Sequence, residues 1–276
     1  MIPAGMITEL IRWGTDLSTE AGRLGHQRDL VLSSPLVLAW DGTAARIGIQ
    51  EVVARTVGME RSGLGHVSLV SGWRKNRLPL PFYQYVDGVR KNTGLAISVD
   101  FGAINMPEMV ILKEIGVSSV CCALPAKDAR VLLEVPPRPV YQDRLRTLRE
   151  AGELGLKTGV SLTIGIGESF KDIDAAVRIV EKLGIDSLSV SGVWPATLTA
   201  AQQRYQVDLI GRIAAAARLC LPDGMDIAVS TAATAPDPLF FMECGANVFT
   251  VAPEHAASPN GLVKHLRAMW QNGLAA

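Results

Sequence analysis

Cysteine is scarce in this chain, and what there is falls in no chelating pattern. Only four occur, at Cys121, Cys122, Cys220 and Cys244, and none forms a CxxC pair or a spaced ligand set. Cys121 and Cys122 are adjacent, so on a strand they face opposite sides and cannot hold one ion together. The four histidines, His26, His66, His255 and His265, lie far apart, and HExxH is absent. The sequence therefore offers no zinc site. An excess of charge of either sign is also missing, since Lys+Arg is 27 and Asp+Glu is 27. Nothing in that balance neutralises a phosphate backbone, which argues against a nucleic-acid partner. No apolar run reaches the ~18 residues that would suggest a membrane span. The first residues, MIPAGMITELIRWGTDL, read as an amphipathic helix with acids where a signal peptide would be apolar, so a cytoplasmic location is expected.

What is present is a folded core's worth of apolar side chains: 48% of 276 residues are hydrophobic and 20% charged. Short strand-like runs are expected at 35–40, 66–71, 94–99, 117–122, 157–164, 186–190, 225–230 and 247–251. Helical patterns fall near 47–60, 80–92, 106–115, 141–155, 170–183, 199–218, 236–244 and 259–272. Asn105 and Pro107 signal one helix start, and Gly116 and Gly184 signal helix ends. The unit "helix, glycine, hydrophobic strand" recurs in LKEIGVSSV, EKLGIDSLSV and MECGANVFTV. That is the grammar of a parallel sheet with helical crossovers. Eight units in about 240 residues fit an α/β fold of the (β/α)8 TIM-barrel type, over 31–276, better than an open sheet. No GxGxxG follows the first strand, which weakens the doubly wound alternative. Residues 1–30 are expected to be a helical extension against the barrel's bottom or side.

In such a barrel chemistry gathers at the C-terminal strand ends. Read in order, those ends carry Trp40-Asp41-Gly42, Ser71 to Asn76, Asp100-Phe101-Gly102, Cys121 to Pro125, Gly165-Ile166-Gly167-Glu168-Ser169, Ser191 to Pro195, Ser230-Thr231 and Glu254-His255. This polar rim with its tryptophans suits a polar organic ligand with a flat ring better than a metal. Each piece also has a plainer explanation: GIGES as a strand end with Ser169 or Glu168 capping a helix, Asp41-Gly42 as a turn, Arg74-Lys75 as surface charge.

Together the segments resemble the radical S-adenosylmethionine (SAM) superfamily, in its biotin synthase, hydrogenase-maturase and methylornithine synthase branch. The resemblance runs over roughly residues 30–265 and is carried by YQDRLRTLREAGELGLKTGVSLTIGIGES, by FFMECGANVFTV and by SGWRKN. It implies that Arg144, within YQDRL, binds the methionyl carboxylate of SAM. It implies that Ile164, Gly165, Ile166, Gly167 and Glu168 form the adenine-side turn, with Ser191, Val193 and Trp194 at the neighbouring strand end. The chain departs from the family at the cluster. The family's CxxxCxxC loop after strand 1 is replaced by WDGTAARIGIQE, which has no cysteine. The positions matching biotin synthase's second cluster are Ser68, Ser98, Gly159 and about Ala233. Iron–sulfur clusters need thiolates, so no iron–sulfur cluster is expected.

Three functions follow. The first is a cluster-free methyltransferase using SAM on a small-molecule acceptor, by in-line displacement at ~3–3.5 Å. Asp41, with Asp100 and Glu254 as rivals, would replace iron in holding the methionyl amino group; Trp40, Trp73 or Trp194 would face the sulfonium, and Asp100, Glu254 or His255 would act as base. The second is an accessory or ligand-binding protein in cofactor biosynthesis. The third, an unrelated barrel lyase or aldolase, needs a Schiff-base lysine inside a strand or a metal set, and is disfavoured because Lys157, the only strand-start lysine, sits at the wrong end of the barrel.

Overall fold

The computed structural model describes residues 3, 5–13, 18–38, 47–71, 78–124, 139–165, 167–192, 198–230, 238–251 and 262–273. Two helices come first, α1 (Met6–Trp13) and α2 (Ser18–His26). Then strands and helices alternate: β1 (Val31–Val37), α3 (Ile49–Arg61), β2 (His66–Val70), α4 (Leu80–Asn92), β3 (Ala96–Asp100), α5 (Met106–Glu114) and β4 (Val117–Ala123). The series continues with α6 (Pro139–Glu153), β5 (Lys157–Ile164), α7 (Phe170–Leu183), β6 (Ser187–Gly192), α8 (Ala200–Cys220), β7 (Asp226–Ser230), α9 (Pro238–Glu243), β8 (Val248–Thr250) and α10 (Leu262–Gly273). All eight strands pair in parallel, in sequence order, and β8 closes on β1. This is a (β/α)8 TIM barrel.

The local chemistry explains the boundaries. Asn105 caps α5 by accepting from the Glu108 backbone N–H at 3.0 Å. Ser169 and Asp172 form a reciprocal capping box on α7, which ends at Gly184 in the left-handed region (φ 60°). Thr199 and Gln202 do the same for α8. The largest departure from the sequence expectation is β1, which starts at Val31 rather than residue 35. Its serines hid it: Ser33 and Ser34 interrupt the apolar run, and Pro35 looked like a boundary. In the barrel Pro35 simply pairs opposite Ser68 within the strand.

The strands separate two faces. Leu36, Leu69, Val99, Val120, Leu162, Val190, Val229 and Phe249 are all essentially fully buried beneath the helices. The alternate positions face the barrel axis, and there the side chains are small and hydroxylated. Ser68 is paired in register with Ser98, Ser161 with Ser189, Thr163 with Ser191, and Ser230 with Thr250. Gly159 shows how close the inner layer packs: a Cβ there would lie 2.5 Å from Ser187 Oγ and 2.8 Å from Cys121 Sγ. TIM barrels commonly fill this space with Val, Ile and Leu. Here most of the inward hydroxyl residues keep partial exposure.

The floor of the barrel is polar as well. Ser33 Oγ and His66 Nδ1 are 2.7 Å apart. Burial pushes the His66 imidazole down to about 4, so it is neutral at physiological pH. The short β8 is reinforced by a buried clamp. Arg218 donates to the carbonyls of Gly245 and Met225 and to Asn247 Oδ1, all within 2.9 Å. Asn247 in turn accepts from the Ile227 N–H and donates to Asp226 and to the Asp29 carbonyl.

The N-terminal segment forms two helices rather than one, and both lie on the barrel's side. α1 packs between α7 and α8. Asp174 on α7 accepts from the backbone N–H groups of Gly5 and Ile7 at 3.3 and 3.2 Å, capping α1 from a distant part of the chain. Arg212 on α8 donates to the Ile11 carbonyl at 3.3 Å. α2 packs against α8 and α9, where Gly25 meets Gly245 backbone to backbone.

Candidate functional site

The barrel's C-terminal mouth is described along the arc from β3 to β6. Asp100 ends β3 on the lumen-facing register, level with Val70. Burial raises its carboxyl to about 6, against the opposing pull of the nearby Arg144 guanidinium and a hydrogen bond from the Gly102 backbone. Arg144 lies on α6 and donates through one terminal nitrogen to the Ala123 carbonyl at the end of β4. Among the described residues that is the one hydrogen bond its side chain donates, out of the five N–H donors a guanidinium carries. The structure thus brings Arg144 and Asp100, far apart in sequence, to one side of the mouth.

The turn after β5 is built by glycine. Gly165 and Gly167 have φ of 92° and 93°, a region that disfavours residues with a Cβ. Glu168 accepts from the Gly165 N–H at 2.6 Å and so fastens the turn to itself. Ser169, not Glu168, caps the following helix. Ile164 is fully buried on the outer face, which leaves its backbone rather than its side chain at the mouth, and its carbonyl accepts from Gln206 Nε2 at 3.4 Å. Ser191 faces the lumen beside Thr163, with a long 3.5 Å contact to the Leu162 carbonyl. Trp40, Asp41, Trp73, Ile166, Val193, Trp194, Glu254 and His255 lie outside the described residues.

The two strand thiols point to opposite sides of the sheet: Cys121 faces the lumen and Cys122 the helices. Burial and the Asp100 charge push Cys121 up to about 12 and raise Cys122 well above the ordinary thiol range, so both stay protonated. Cys220 and Cys244 lie away from the mouth, at the end of α8 and just after α9. Among the described residues no group of three or more His, Cys, Asp or Glu side chains is placed to hold a metal ion. No helix among them is long and apolar enough to cross a membrane.

Sequence reasoning missed the ring of inward hydroxyls as a feature. The signal was there in VSLV, ISVD, VSLTI and LSVSG. Strands buried on both faces read as continuous apolar runs. Strict serine alternation in a parallel barrel marks one face as hydroxylated.

No protein-family model matches the chain. A biotin synthase from Thermotoga neapolitana is 24% identical over 181 residues, covering 65% of this chain and 63% of that protein. An uncharacterized protein from Methanocaldococcus jannaschii is 25% identical over 154 residues, covering 54% of this chain and 40% of that protein. The match thus spans less than two thirds of either relative's length. Among solved structures, methylornithine synthase (PylB) superposes with a TM-score of 0.72 at 14% identity, covering 94% of this chain and 88% of that one. HydG, a maturase of the [FeFe]-hydrogenase, superposes with a TM-score of 0.64 at 13% identity, covering 91% and 69%. With the barrel, its mouth and these similarities together, the chain is a radical-SAM-like barrel related in sequence to biotin synthases.

Proposed function

We propose that this protein is a cluster-free descendant of a radical SAM enzyme that binds SAM or a close analogue at the barrel mouth, as a ligand-binding or accessory component of cofactor biosynthesis. The observation that carries this is the pairing of Arg144 with a hydroxyl-lined lumen and no thiolate set. The residues do not fit an iron–sulfur cluster: the two strand cysteines face opposite ways, and CxxxCxxC is absent from the sequence. They do fit a carboxylate-bearing ligand. Arg144 would grip the methionyl carboxylate with its remaining donors, and the lumen hydroxyls would hydrogen-bond a small polar molecule beneath it. Biotin synthase relatives and a maturase neighbour support the biosynthetic setting.

A second reading is favoured by Asp100. When bound, SAM would supply an electrophilic methyl group. Asp100, raised to about 6 and facing the lumen, is poised near neutral pH to accept a proton from an acceptor molecule. Arg144 beside it would orient the donor, and the lumen would hold the acceptor in line.

Calorimetry tests the shared premise. SAM and S-adenosylhomocysteine should bind wild type, and Arg144→Ala should weaken both by about 10- to 150-fold, for a loss of roughly 1.5–3 kcal/mol. Equal affinity in the two proteins, or no binding to wild type, overturns the assignment. Chromatography of SAM incubated in air with a panel of small acceptors separates the readings. S-adenosylhomocysteine formation supports methyl transfer, binding without turnover supports the accessory role, and reductant-dependent deoxyadenosine contradicts both.

A further inference from the structure

Asp100 and Arg144 meet at the mouth, but each hangs on a different support. Asp100 ends β3, and a short loop, Phe101 to Asn105, follows it before α5 begins. Gly102 turns that loop through a positive φ of 77° and returns its N–H to the Asp100 carboxylate. Arg144 comes from α6 and reaches across to the Ala123 carbonyl. Strand pairing does not tie the loop to that helix, so their spacing is set by what lies between them.

Thr147 lies between them. It is fully buried and stands about one turn after Arg144 on α6, on the same helix face. Its Oγ1 accepts from the Ile104 N–H at 3.0 Å. The Ile104 carbonyl is 3.0 Å from the same oxygen, and the Asp143 carbonyl of its own helix 2.9 Å. A hydroxyl has one proton and two lone pairs, so Thr147 takes the loop's N–H and shares its proton between the two carbonyls. Other buried threonines behave differently: Thr56 and Thr93 give their protons to the Val52 and Val89 carbonyls, four residues back. Thr147 does that and binds both polar groups of one loop residue as well. Ile104 is 1% exposed, so water cannot replace the hydroxyl there. A second contact spans the same gap from β4, where Cys122 Sγ lies 4.0 Å from the Gly102 carbonyl and 3.9 Å from the Arg144 carbonyl. The path closes on itself: Asp100 to Gly102, Ile104 to Thr147, one turn of α6 to Arg144, Arg144 to Ala123, and β4 back to β3 through the Val120–Val99 pair.

We infer that Thr147 is a positioning residue, which sets where the Arg144 guanidinium stands relative to Asp100 and so how the mouth receives a carboxylate-bearing ligand. The ligand half of this rests on the reading of Arg144 given above; the Arg144–Asp100 half does not.

The test uses the full chain and two readouts. The first is calorimetry with S-adenosylhomocysteine. Thr147→Val keeps the side-chain shape without the hydroxyl and should bind about fivefold more weakly than wild type, while Thr147→Ser should return to within about twofold of it. In the Arg144→Ala background Thr147→Val should have no further effect, because residues that act through one another are not additive. Wild-type affinity in Thr147→Val beside a lowered thermal midpoint is the mark of a core role alone and overturns the inference. So does an equal loss in both backgrounds. The second readout needs no ligand: NMR titration of the Asp100 carboxyl carbon. Arg144→Ala should move its midpoint up, since a guanidinium favours the ionised carboxyl, and in Thr147→Val that upward shift should shrink by about half or more. An unchanged shift overturns the inference. If wild type binds no S-adenosylhomocysteine, the ligand reading fails and the titration alone decides the positioning. If Thr147→Val does not fold, Thr147→Cys, whose thiol is a weak donor and acceptor, replaces it in both readouts with the same expected directions.

Discussion

Replacing Asp100 by asparagine removes a carboxyl that the fold would rather keep protonated. In the unfolded chain this group titrates near 3.8, and in the barrel near 6. Below 3.8 it is protonated in both states and contributes no difference. Between 3.8 and 6 the native state holds a proton that the unfolded state has released, so stability falls as pH rises through that window. Above 6 the full cost of a buried carboxylate is present. At about 1.36 kcal/mol per pH unit the ceiling is roughly 3 kcal/mol. Asp100 keeps partial solvent contact, and screening reduces the expected effect to about 1–2 kcal/mol. His66 works in the opposite sense. Its imidazole is depressed from 6.5 to about 4, so its contribution is complete above 6.5 and is lost as pH falls through 4. The two slopes oppose each other between pH 4 and 6. Urea denaturation at a series of pH values resolves them. Asp100→Asn should be more stable than wild type at pH 8, equal to it near pH 3.5, and should lose stability more steeply on acidification below 6. A stability difference that is the same at every pH would refute burial as the cause.

Two further substitutions probe the packing. Gly25→Ala places a Cβ 2.7 Å from both the Cα and the carbonyl oxygen of Gly245, where only backbone is available to move, and should cost about 1–3 kcal/mol in urea denaturation. Ser34 is fully buried on the outer strand face, with no hydrogen-bond partner for its hydroxyl among the described residues. Ser34→Ala should therefore raise stability by about 1 kcal/mol, seen as an upward shift of the thermal midpoint.

The architecture was legible because the chain repeats one grammar eight times. Glycine ends such as Gly116 and Gly184, and caps such as Asn105 and Ser169, mark elements within a residue or two of their observed bounds. β1 was misplaced because Ser33 and Ser34, both buried in the strand, look in sequence like a loop. Arg144 was found through the YQDRL resemblance alone, since no local pattern reveals that an arginine in mid-helix reaches the end of a strand. Its meeting with Asp100 depends on the barrel placing β3 and β4 side by side.

The brevity of β8 has a consequence for how the molecule is made. It meets β1 at three residue pairs, from Val31–Val248 to Ser33–Thr250, whereas β5 and β6 share six. Those three pairs join positions more than 200 residues apart, so the cylinder stays an open sheet until residues 248–250 have emerged from the ribosome. During synthesis the growing chain exposes two unpaired strand edges, and the Arg218–Asn247 clamp cannot form until Asn247 arrives. Slow translation ahead of that point would lengthen the exposure, and a chaperone bound to the nascent chain would be expected to leave only when the seam has closed.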